Sequence, residues 1–132
     1  MKFEAHGHYK IHVESNVLHI DGKGPFNKEL VTEYTEALET CVAELESQGA
    51  WYQLVVLYQL CLMTPDSESV FVKSLKERKS RGLMACAVVL SNPQGQSLIT
   101  EQFGKAYLAS GVEHQFFNDV EQAMAWLNAI RQ

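Results

Sequence analysis

No stretch of these 132 residues is long and apolar enough to span a bilayer, and the opening Met1-Lys2-Phe3-Glu4-Ala5-His6 lacks the apolar run of a secretory leader. Neither membrane insertion nor secretion is expected; a cytoplasmic location is. Cysteine is scarce and odd in number. Cys41, Cys61 and Cys86 lie among apolar neighbours, which argues against a disulfide framework and predicts buried free thiols in a reducing compartment. Positive charge is in the minority, 11 Lys and Arg against 16 Asp and Glu, for a formal net charge of −5. Nucleic-acid binding announces itself as clustered positive charge, so no nucleic-acid partner is expected. The motifs of covalent catalysis are missing as well: there is no Gly-x-Ser-x-Gly elbow, no Walker loop and no Gly-x-Gly-x-x-Gly after a strand. Gly22-Lys23-Gly24 runs into Pro25-Phe26, where a phosphate loop would need exposed amides. No residue stands out as an activating base for the thiols. The expectation is a non-enzymatic protein with no catalytic residue and no cofactor.

What is present suits one packed α/β domain over residues 1–132, with 46% hydrophobic and 20% charged residues. Ala5 to Glu14 alternates, Tyr9, Ile11 and Val13 against His8, Lys10 and His12, the pattern of a half-buried strand. Ser15-Asn16 forms the turn into a second strand, Val17 to Asp21. The predicted register sets Val13 opposite Leu18, Ile11 opposite Ile20, Lys10 opposite Asp21 and His12 opposite His19. Asn27 caps a helix carrying Leu30, Tyr34, Leu38, Cys41 and Leu45, which Gly49 ends. Trp51 to Tyr58 is apolar at nearly every position, as a central strand covered on both faces should be. Thr64-Pro65-Asp66 then starts a helix with a hydroxyl cap and a proline in its first turn, running to about Arg81. Met84 to Leu90 is a second continuous strand and Ser91-Asn92-Pro93 a loop. Leu98, Ile99, Gln102, Phe103, Ala106 and Tyr107 mark a third helix that ends before Gly111. Val112 to Phe117 is a short last strand, and Asn118 with Glu121 caps a final helix bearing Val120, Ala123, Met124, Leu127 and Ile130. The order β-β-α-β-α-β-α-β-α implies a mostly parallel sheet with an N-terminal antiparallel hairpin.

That order, together with the strand Leu54-Val55-Val56-Leu57 followed at a fixed interval by Asp66-Ser67-Glu68-Ser69-Val70, resembles the STAS fold. This is the family of the SpoIIAA-type anti-sigma-factor antagonists and of the sulfate-transporter C-terminal domains. The resemblance implies a bacterial regulatory module that presents the loop and helix around Thr64 to Val70 to a protein partner. It puts Ser67 at the phosphoacceptor position, with Thr64, Asp66, Ser67, Glu68 and Ser69 as partner-binding candidates. The chain departs from the family pattern at Tyr58, where an aspartate is usual, at Ser69, where the motif has glycine, and at Pro65, where it has an aliphatic residue. In this respect it is similar to the SpoIIAA-like or STAS/Sec14-type bacterial proteins, which keep the scaffold without the switch motif. A small carrier or sensor for an apolar or anionic ligand is the competing expectation.

Several residues carry two readings. A phosphate on Ser67 would meet the free amides and positive dipole of a helix start, but also Asp66 and Glu68, and serines at such positions ordinarily cap. Lys73, Lys76, Arg78, Lys79 and Arg81 form the one concentrated basic run. They complement the helix dipole, and Lys73, Lys76, Lys79 and Arg81 are candidates for an anionic lipid or acidic partner. His8, His12 and His19 share one face of the hairpin, where two imidazoles and a third ligand such as Glu14 can hold a metal. Without CxxC, HExxH or a carboxylate cluster, solvated histidines are expected there, with His12 and His19 the candidate ligands. The aromatics Trp51, Tyr52, Tyr58, Phe71, Phe103, Tyr107, Phe116 and Phe117 are expected mostly in the core, a subset lining an apolar pocket at the carboxyl ends of the strands. If the first strand is a sheet edge, it presents unpaired backbone groups that a second copy could extend, so a homodimer through that edge or its histidine-bearing face is one expectation.

Overall fold

The computed structural model describes residues 7–59, 61–93 and 95–131. Five strands and four helices alternate as expected: β1 (His8–Glu14), β2 (Val17–Lys23), α1 (Lys28–Gln48), β3 (Trp51–Gln59), α2 (Pro65–Ser80), β4 (Leu83–Pro93), α3 (Gln96–Ser110), β5 (Glu113–Phe117) and α4 (Val120–Arg131). The sheet order is β1-β2-β3-β4-β5, with β1 antiparallel to β2 and every other neighbour parallel. β1 is thus an edge strand, and the hairpin pairs in the register read from the sequence, His12 opposite His19 and Val13 opposite Leu18. Ala5 and His6, included in the expected first strand, lie outside the described residues.

Alternation along the strands divides the interior in two. One face of the sheet sends Leu18, Ile20, Trp51, Val55, Leu57, Cys86 and Val88 into a core shared with α1, α2 and α3. The other sends Val17, Leu54, Val56, Ala85, Ala87 and Val89 against Ala123 and Leu127 of α4. The alanines on that face let the single covering helix approach closely. β3 is buried on both faces from Trp51 to Leu57 and emerges only at Tyr58 and Gln59.

Helix boundaries follow local chemistry, with some corrections. Asn27 caps α1 by accepting from the Leu30 amide at 2.9 Å. The buried stripe of α1 is Val31, Leu38, Val42 and Leu45, with Tyr34 and Cys41 half-buried, because α1 leans on α2 as well as the sheet. Gly111 closes α3 at φ 78°, a left-handed position open to glycine, and its amide donates to the carbonyls of Leu108 and Tyr107. Thr64 precedes α2 but makes no side-chain cap; its hydroxyl donates to Asp66 Oδ1 at 2.6 Å instead. β4 continues through Pro93, so the loop expected from Ser91 is strand. The cap of α4 is Asp119, whose carboxylate accepts from the Gln122 amide at 2.8 Å, one residue beyond the expected Asn118. Leu98 and Val120, read as core positions, are exposed.

Candidate functional site

An apolar cavity of about 50 Å³ opens between the sheet and the helices α1, α2 and α3 at the carboxyl end of β2 and β3. Ile20, Val55, Leu57, Phe71, Phe103 and Tyr107 form its buried depth. Tyr9, Phe26, Leu30 and Tyr34, each half-buried, form the rim. The rings meet edge to face, Phe71 with Phe103 at 5.4 Å between centroids, Tyr9 with Tyr34 at 5.7 Å and Phe26 with Phe103 at 6.5 Å, the arrangement that ring quadrupoles favour. Gly22 helps to keep the space open: a Cβ there would sit 3.1 Å from the Phe26 ring and 3.3 Å from Leu57 Cδ2. The volume is room for no more than a few water molecules and is well short of the roughly 150 Å³ of an engineered cavity that binds benzene. A ligand the size of an aromatic ring must therefore move a wall, and Phe26 lies in a short connection at the rim.

Phe26 is also tied to the start of α2. Its amide donates to Leu62 O at 2.9 Å, and its carbonyl accepts from the Thr64 amide at 3.1 Å. The Ser67 hydroxyl donates to Thr64 O at 2.8 Å and reaches Phe26 O at 3.1 Å. Gln102 of α3 clamps the same segment, accepting from the Met63 amide (2.7 Å) and donating to Met63 O (2.8 Å) and to the Glu68 carboxylate. Ser67, expected on an exposed helix start, is fully buried. Thr64, Asp66 and Ser69 are exposed and Glu68 is half-buried. The Thr64 hydroxyl holds the Asp66 carboxyl below the usual carboxylate range. Of the partner-binding candidates, Thr64, Asp66 and Ser69 thus face solvent, Glu68 leans on Gln102, and Ser67 lies beneath them as a bolt between Thr64 and Phe26.

The basic run is divided in the same way. Lys73, Lys76 and Lys79 are exposed, whereas Arg81 is engaged by Glu39 (2.7 Å) and Glu46 (2.9 Å). These bonds raise the Arg81 pKa and lower that of Glu39. Arg78 leaves the surface altogether, at 2% exposure. Its guanidinium donates to Gln53 Oε1 (2.7 Å), the Tyr34 hydroxyl (3.1 Å), Ser74 Oγ (3.2 Å) and Ser74 O (3.4 Å). It also lies over the Tyr34 and Phe71 rings at 5.6 and 5.9 Å from their centroids. No carboxylate pairs with it among the described residues. Gln53 passes the network on to Cys86 Sγ at 3.2 Å, and Cys86 reaches the Tyr107 hydroxyl at 3.4 Å. Tyr34, Phe71 and Tyr107 belong both to the cavity wall and to the surroundings of this buried cation.

The thiols match the expectation of free, sheltered cysteines: Cys61 and Cys86 are buried and Cys41 partly so. Burial pushes the Cys86 pKa up to about 11 and raises those of Cys61 and Cys41, so each favours the protonated form over a nucleophilic thiolate. On the hairpin, the His12 and His19 rings stack at 4.5 Å with 11° between planes, and His12 Nε2 lies 3.9 Å from Glu14 Oε1. Desolvation first, then His12, lowers the His19 pKa. Tyr58, next to last in β3, is exposed, while Phe116 and Phe117 are half-buried. No helix among the described residues is long and apolar enough to cross a membrane. In comparisons with known proteins, no family model, no curated protein and no solved structure matches the chain.

Proposed function

We propose that this chain is a non-enzymatic sensor module of the STAS/SpoIIAA-like type, in which a small apolar ligand in the cavity alters the surface that the start of α2 offers to a protein partner. One observation carries the reading. Phe26 contributes its ring to the rim of the cavity and its main chain to the hydrogen bonds that hold Leu62, Thr64 and Ser67 in place. A ligand too large for about 50 Å³ has to move part of the wall, and where it moves the Phe26 ring the same motion strains the bonds beneath Thr64, Asp66 and Ser69. A ligand shifts such an equilibrium only by binding one arrangement better than the other, and filling an enlarged apolar cavity supplies that difference. The position at the carboxyl ends of parallel strands is where open α/β sheets commonly gather ligands. The protonated, sheltered thiols and the absence of the familiar catalytic motifs support a binding role.

Two measurements test it. Native mass spectrometry of protein purified from its own host is expected to reveal a co-purifying apolar molecule. In NMR spectra, xenon, which enters small dry cavities, is expected to shift the amides of Ile20, Val55 and Phe103 and also those of Thr64 and Ser67. Shifts confined to the cavity, with the start of α2 unmoved by xenon and by any co-purified molecule, would separate the cavity from the partner surface and defeat the proposal.

A further inference from the structure

Outside that site, one cluster of side chains among the described residues has the composition and geometry of a ligand set. His12 and His19 are direct cross-strand partners, and Glu14 follows His12 by two residues on the same face of β1. One ligand atom from each of the three lies within 4.8 Å of the other two. We propose that His12, Glu14 and His19 form a binding site for a divalent transition-metal ion of the zinc and nickel class, at the turn end of the N-terminal hairpin.

Imidazole nitrogens and a carboxylate are the donors these borderline ions prefer, and the hard cations Mg²⁺ and Ca²⁺ would instead call for oxygen ligands throughout. With metal–ligand bonds of roughly 2.0–2.2 Å, neighbouring donors around a tetrahedral ion stand roughly 3.3–3.6 Å apart. The present spread therefore closes through rotation of exposed side chains. His12 and Glu14 have that freedom, with side chains 63% and 73% exposed, while His19 is half-buried and supplies the fixed donor. The backbone holding them is not a free ribbon: β1 pairs with β2 through His12 and His19, and β2 is hydrogen-bonded to β3 along its whole length, so the backbone spacing between the two histidines is set before any ion arrives. Three protein donors leave at least one coordination position for water or a further ligand. The site is separate from the apolar cavity, because His12 and His19 project from the opposite face of the hairpin to Ile11, Val13, Leu18 and Ile20.

Titration of the full chain with Zn²⁺ and Ni²⁺, followed by calorimetry and native mass spectrometry, is expected to give one ion per chain. His12→Ala and His19→Ala should each weaken binding by about tenfold or more. His8→Ala should leave it unchanged, since His8 pairs with Lys23 at the far end of the hairpin. Paramagnetic Ni²⁺ should broaden the wild-type resonances of His12, Glu14 and His19 first, a readout that requires no variant to fold. Absence of binding at millimolar metal, binding undiminished in both variants, or broadening centred elsewhere would each overturn the site.

Discussion

Replacing Arg78 tests the least ordinary part of the interior. Arg78→Ala removes a cation that is 2% exposed, and it leaves Gln53 Oε1, Ser74 Oγ and the Tyr34 hydroxyl without their donor. A buried acceptor deprived of its partner costs about 1–3 kcal/mol. Gln53 is fully buried and pays most of this, whereas half-buried Tyr34 can turn to water and Ser74 can donate back along its own helix. The space left by the side-chain stem adds to the loss, and the relief from holding an unpaired cation out of water offsets part of it. The expected net destabilisation is about 2–4 kcal/mol, a large share of the roughly 5–15 kcal/mol that domains possess. It should appear in urea unfolding as a midpoint lowered by roughly 1–2 M at unchanged slope. The double variant Arg78→Met, Gln53→Met removes donor and principal acceptor together and fills the volume with apolar atoms, so it should recover to within about 1 kcal/mol of the parent, or exceed it. A single variant losing less than about 1 kcal/mol, or a double variant no better than the single, would refute the inference that a desolvated guanidinium is held by neutral acceptors.

Ser67→Asp should destabilise the fold by about 2–4 kcal/mol, because a carboxylate would be buried facing the carbonyl oxygens of Thr64 and Phe26; thermal unfolding of the variant at parental temperature would contradict this. Gly22→Ala should abolish the xenon response of the cavity, since the added methyl presses on Phe26 and Leu57; NMR shifts that persist would mean that xenon sits elsewhere. Folding raises the Cys86 pKa from 9.0 to about 11, so the contribution of this thiol is complete below pH 9 and is lost as pH rises towards 11, at up to about 1.4 kcal/mol per unit. Urea unfolding from pH 8 to 11 should show that decline, shallower in Cys86→Ala, and an equal slope in both proteins would argue against it.

Much of the architecture was legible because it depends on short-range patterns. The hairpin register follows from two matched alternations, and a slip of one residue would have turned Ile11 and Val13 to solvent. β3 and β4 were recognisable from unbroken apolar runs, which only strands covered on both faces can bury. The misreadings fell at boundaries, where neighbouring polar residues compete for one role. Asn118 and Asp119 are both able to cap α4, and the chain uses the second. Thr64 occupies the capping position of α2 but spends its hydroxyl on Asp66.

The site was less legible because it depends on which face of α2 turns inward. Ser67, Phe71, Ser74, Leu75 and Arg78 are the buried residues of α2, and their spacing of i, i+4, i+7, i+8 and i+11 is the ordinary stripe of an amphipathic helix. Reading α2 by residue type assigns Ser67 to a surface motif and Arg78 to a basic patch; reading it by position places both beneath the surface. The apolar anchors Phe71 and Leu75 fix the phase of the helix, and Ser67 and Arg78 lie one turn to either side of them. Phase alone does not give their partners. Phe26 lies 41 residues from Ser67 in sequence, Tyr34 44 residues from Arg78 and Gln53 25, and the β-α crossovers that bring them together are settled by how α1 and α2 pack on one sheet face. Those crossovers join the end of α2 that carries the cation and the end that carries the candidate partner surface to the same aromatic wall. That wall therefore touches side chains at both ends of the helix.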